Sequence, residues 1–113
     1  MSAHPRFTAE EIRRLLAELN DRLATAGLHG EISLYGGALM VLLWQTRTAT
    51  RDIDAVFVPP SEIRSMIQAI AKAHDLPDAW LNDGVKGWLS RKGENEKTRT
   101  PHFSFSHLEV LVP

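Results

Sequence analysis

The chain has 113 residues, 43% of them hydrophobic and 24% charged, with no cysteine and a formal net charge of −1. That length suits one domain with a modest core, the missing cysteines exclude disulfides, thiolate zinc sites and cysteine nucleophiles, and the near-neutral balance gives the surface as a whole no attraction for nucleic acid. No stretch reaches the roughly 18 uninterrupted apolar residues of a membrane span, and MSAHPRFTAEEIRR offers neither an apolar h-region nor a cleavage site, so the expected location is a reducing cytoplasm, with no membrane partner.

Thr8 followed by Glu11 has the form of a capping box, and Ile12, Leu15, Leu16, Leu19, Leu23 and Ala26 recur at steps of three and four until Gly27 ends the pattern, which predicts a helix. Glu31 to Tyr35 is short and partly β-branched and reads as a strand. It leads through Gly36-Gly37 into Ala38 to Gln45, too continuously apolar for a surface strand and rich in helix formers. Asp52 to Val58 has a strand's composition and is stopped by Pro59-Pro60. Pro60-Ser61-Glu62 then opens a helix whose Ile63, Met66, Ile67, Ile70 and Ala71 form one stripe through about His74. PDAWLNDGVKGWL predicts a short helix capped by Asp78 and ended near Gly84 or Gly87, and HFSFSHLEVLVP a strand or a tight pair of strands.

Helices interleaved with strands imply an α/β or α+β fold, a small mixed sheet of about three to four strands flanked by helices, in a single domain over residues 1–113. Ending on a strand leaves an outer edge to cover, so either helices are missing after Pro113 or a second copy or partner chain covers that strand.

Asp52 and Asp54 stand two apart, so on a strand both carboxylates project from one face and repel. A divalent ion with a hard-oxygen preference is the strongest compensator of such a pair, and paired aspartates on Mg²⁺ or Mn²⁺ point to phosphoryl or nucleotidyl transfer. A hydrated strand end beside Arg51 is the plainer alternative. Gly36-Gly37, between a strand and a helix, lets backbone amides approach an anion closely, or is simply a turn that needs positive φ. One short helix and a connector carrying Arg47, Thr50 and Arg51 separate the two features; the arginines either face a triphosphate or neutralise the aspartates.

Gly36-Gly37, Arg47, Thr50 and Asp52-Ile53-Asp54, with fifteen positions from Gly37 to Asp52, resemble the nucleotidyltransferases of the DNA polymerase β-like superfamily, and within it the small prokaryotic branch of AbiEii-type toxins and related domains. The resemblance is strongest over residues 34–58 and extends more loosely through WLNDGVKGWL to HLEVLVP. It implies that Asp52 and Asp54 ligate Mg²⁺ and are catalytic, that Gly36 and Gly37 contact the phosphates of a nucleoside triphosphate, and that Thr50 steadies the loop. Glu109, the only acid on the last strand, becomes the candidate for the third catalytic carboxylate. The implied activity moves a nucleoside monophosphate from a triphosphate to a hydroxyl on RNA, a protein or a small molecule; the alternative is a non-catalytic module of the same shape in a toxin-antitoxin-like pair. The second glycine stands where many active members have serine.

His102 and His107 are five apart, and odd spacing on a regular strand would separate them, which argues against joint metal ligation. Trp44, Trp80 and Trp88 read as packing residues rather than base-stacking ones. The basic run Lys86 to Thr100 reads as a solvated loop.

Overall fold

The computed structural model describes residues 6–85 and 99–113. Its elements run β1 (Phe7–Thr8), α1 (Ala9–Ala26), β2 (Gly30–Tyr35), α2 (Gly36–Leu42), β3 (Ala49–Thr50), β4 (Ile53–Val58), α3 (Pro60–His74), β5 (Leu81–Asn82), β6 (Thr100–Ser104) and β7 (Leu108–Val112). The fold is mixed α/β: a five-stranded sheet in the order β5-β4-β2-β7-β6 and a two-stranded ribbon of β1 and β3.

Local signals set the helix ends. Thr8 Oγ1 accepts from the Glu11 amide at 3.2 Å while Glu11 Oε1 accepts from the Thr8 amide at 3.4 Å, and Gly27 closes α1 in the left-handed conformation at φ 70°. The stripe Ile12, Leu16, Leu19 and Leu23 is fully buried, each side chain contributing roughly 1.5–3 kcal/mol of transfer free energy. In α3, Ile63, Ile67, Ile70 and Ala71 make the matching face, and α1 packs on α3. Alternation along the strands does the rest: Ile32 and Leu34 of β2, Ile53, Ala55 and Phe57 of β4, and Leu108, Val110 and Val112 of β7 join the same core, whereas Tyr35, Asp54 and Glu109 fall at positions of the opposite parity.

The last strand is not an edge. β7 lies between β2, to which it is parallel, and β6, to which it is antiparallel, so the outer edge left open in the sequence reading is filled within the chain. Residues 78–82 form a turn and β5 instead of a helix capped by Asp78. Trp80 is the cause: its ring is 1% exposed, its Nε1 donates to Ile67 O at 2.9 Å, and its carbonyl accepts from the Ile53 amide at 2.8 Å, which starts the parallel pairing of β5 with β4.

Candidate functional site

Antiparallel pairing of β2 with β4 decides the geometry. Tyr35, the last residue of β2, stands in register with Asp54, near the start of β4, so the glycine turn that follows one strand abuts the aspartates that open the other. Gly36 adopts φ 59°, and a Cβ placed on it would lie 2.9 Å from Asp54 Oδ2. Glycine is demanded there twice over, by the left-handed backbone and by the carboxylate against it. A Cβ on Gly37 would come within 2.4 Å of Thr50 Oγ1 and 3.5 Å of an Arg47 guanidinium nitrogen. Thr50 is itself buried and donates from Oγ1 to Asp52 O at 3.1 Å, tying the bend before β4 to the floor of the turn.

The aspartates differ in setting. Asp52 is exposed on the bend, while Asp54 is half-buried in β4. Burial first and the neighbouring Asp52 charge second raise the pKa of Asp54, and the Asn82 amide pulls it back down. Asn82 occupies the position of β5 in register with Asp54, so one row across the sheet reads Tyr35, Asp54, Asn82. Among the described residues the ion pairs join Arg14 to Glu10, Arg22 to Glu18, Arg64 to Asp83 and His74 to Glu18. Neither aspartate is locked by Arg47 or Arg51, which answers the plain salt-bridge reading of the pair.

Beside Asp52 opens a cleft of about 470 Å³ lined by Arg6, Arg47, Ala49, Thr50, Arg51 and Asp52. Arg6 had no signal in the sequence: it reaches the cleft because β1 pairs antiparallel with β3, Phe7 opposite Thr50, which sets Arg6 near Arg51. On the flank of the row, the Arg99 guanidinium lies 3.9 Å from the Tyr35 ring centroid and donates to the Leu34 and Leu111 carbonyls. A cation stacked on this ring could not have been foreseen from Arg99's place in a basic run.

Glu109 is the sequence candidate that the fold does not bring to the group. It is in register with Glu31, four residues back along β2 from Tyr35, or about 13 Å at the strand rise of 3.3 Å per residue. Residues 100–112 form the pair of strands β6 and β7, and the hairpin turn between them sets Glu109 opposite Ser104. Glu109 lines a separate cavity of about 520 Å³ with His29, Glu31 and His107. His107 stacks on His29 at 4.7 Å and His102 packs edge-on to Phe103, so the two histidines do not share a ligand site. Trp44 departs from its expected packing role, being 54% exposed just beyond α2, whereas Trp80 fills it; Trp88 and most of the basic run lie outside the described residues.

A divalent ion fits what is present. Two carboxylates, one of them held toward its protonated form first by burial and then by its neighbour's charge, are a donor set that a cation relieves. The missing Gly36 side chain leaves Asp54 Oδ2 approachable. Among the described residues no group of three His, Cys, Asp or Glu side chains is gathered as ligands. An ion bound there would draw on at most two protein carboxylates, Asp52 and Asp54, and Mg²⁺ is commonly held by one or two carboxylates with water and substrate phosphates completing the octahedron. Compared with models of known protein families, with curated proteins and with solved structures, the chain gives no match.

Proposed function

We propose that the chain is a Mg²⁺-dependent nucleotidyltransferase that moves a nucleoside monophosphate from a nucleoside triphosphate to a hydroxyl acceptor on RNA, a protein or a small molecule. The observation that carries this reading is the β2–β4 register, which seats Gly36-Gly37 against Asp54 and Thr50 with Asp52 beside them. Asp52 and Asp54 would hold the ion, which when bound neutralises phosphate charge and stabilises the entering and leaving oxygens of an in-line displacement. Gly36 and Gly37 let the turn pack against Asp54 and Thr50, and the backbone amides of that strand-to-helix turn would meet the phosphates beside the aspartates. Arg47 and Arg51 line the adjoining cleft and counter phosphate charge there. Thr50 fixes the bend that presents Asp52.

One observation favours the second reading, a nucleotide-binding module without turnover: the site gathers two carboxylates, and Glu109 is directed elsewhere by register. The two readings separate in a single assay. Under the transferase reading, each radiolabelled triphosphate with Mg²⁺ and a pool of RNA and protein acceptors transfers label, and Asp52→Asn with Asp54→Asn abolishes transfer. A melting temperature that rises further with Mn²⁺ and triphosphate than with triphosphate in EDTA, with that Mn²⁺-dependent increment lost in the double variant, but with no transferred label, selects the binding module. No ligand-dependent rise at all in the unmutated protein rejects both.

A further inference from the structure

The cleft beside Asp52 gathers three guanidinium groups. Arg6 and Arg51 stand one position beyond the β1–β3 pairing, and Arg47 joins them in lining the same space from the connector after α2. All three are exposed, and none takes part in the ion pairs found among the described residues. Like charges gathered in one cleft repel, and Arg14, Arg22 and Arg64 elsewhere on the chain each have a carboxylate within 3.4 Å. A converging, unneutralised set of forks is the arrangement that binds phosphate oxygens bidentately.

We propose that Arg6, Arg47 and Arg51 form one receptor for a compact polyphosphate, and that this receptor is occupied without a metal ion. The inference rests on the transferase reading for the identity of the polyphosphate, the phosphate chain of the nucleoside triphosphate, and adds to it a binding residue from the N-terminal strand and a metal-independent first step. A compact ligand is favoured over a nucleic-acid backbone because the three charges share one cleft of about 470 Å³, within the size range of small-molecule sites. Among the described residues, the other arginines are ion-paired or, like Arg13 over Phe103 and Arg99 over Tyr35, set on aromatic rings. Asp52 lies on the same rim, so Asp52 and Asp54 would hold an ion beside phosphates already seated on the arginines. Phe7, buried against Trp80 with ring centroids 6.2 Å apart, holds the strand that carries Arg6 in place.

Isothermal titration of the full chain with inorganic tripolyphosphate in EDTA tests this. Saturable binding is expected, weakened about tenfold by Arg6→Ala, as loss of one charge-assisted contact would give. Arg6→Lys should weaken it less, and Arg14→Ala, outside the cleft, should leave it unchanged. No saturable binding in EDTA, or equal affinity in Arg6→Ala, overturns the proposal. So does tighter binding of a single-stranded oligouridylate than of tripolyphosphate with the same dependence on Arg6, which would reassign the cleft to a nucleic-acid backbone. The outcome is separable from that of the transferase reading, because Asp52→Asn with Asp54→Asn should abolish label transfer while leaving tripolyphosphate binding in EDTA intact.

Discussion

A Cβ at position 37 would lie 2.4 Å from Thr50 Oγ1 and 3.1 Å from Thr50 Cβ, far inside van der Waals contact, and Thr50 is buried and hydrogen-bonded to Asp52 O. Glycine and threonine are therefore matched, and a serine side chain at position 37 has no room here. Gly37→Ser is expected to cost about 1–3 kcal/mol in urea denaturation, and Thr50→Ala in the same chain should restore part of it, giving a favourable coupling energy in the double-mutant cycle. Asp54 gives a second residue-scale expectation. Its carboxyl binds a proton more tightly in the folded chain than at its ordinary value of 3.8, chiefly through burial and then through Asp52. Protonation therefore favours the fold, and stability is lost as pH rises from about 3.8 through the raised folded value. Asp54→Asn should raise the melting temperature of the metal-free protein at pH 7, and the gain should vanish below about pH 4 in a thermal-melt series.

At the scale of elements, the site depends on pieces too short to stand alone. β1, β3 and β5 are two residues each, and each is held by a buried neighbour: Phe7 on Trp80, Thr50 under the glycine turn, Leu81 beside Ile53. Phe7→Ala should lower stability by about 2–3 kcal/mol, toward the small end for a buried aromatic because a terminal strand can detach locally. Denaturant titration would measure that loss, and the same variant should bind tripolyphosphate as weakly as Arg6→Ala does. α1 carries a different duty at its middle. Asn20, 8% exposed, accepts from the His107 amide at 2.6 Å and so ties the helix to the turn before β7. Asn20→Ala leaves that donor unmet and should cost about 1–3 kcal/mol, read from the same denaturant curves.

Across the whole molecule, what the chain's sequence made legible and what it hid follow from one physical difference. α1, β2, β4 and α3 announce themselves because caps and a hydrophobic period repeat over six residues or more, and their bounds fall close to the expected ones. A two-residue strand carries no period, so the ribbon and β5 were invisible. Trp80 was read into a helix because its partners, Ile67 and Ile53, are distant in sequence. The candidate site divides in the same way. Gly36, Gly37, Asp52 and Asp54 cluster within nineteen positions of chain, and only the direction of β4 remained open; antiparallel pairing resolved it in favour of convergence. The resemblance points to Glu109, on a strand whose register sequence does not encode, and Arg6 and Asn82 come near the aspartates only through non-local pairing.

Mn²⁺ added with a nucleoside triphosphate, followed by paramagnetic broadening of backbone amide resonances, tests the central claim most directly, because the broadening falls steeply with distance from the ion. Loss of the signals of Tyr35, Gly36, Gly37 and residues 52–54 is expected, with Glu31 and Glu109 preserved, and weaker broadening at Tyr35, Gly36 and Gly37 in Asp52→Asn with Asp54→Asn. Broadening centred on Glu31 and Glu109, or a glycine turn left sharp at saturating Mn²⁺, would contradict it.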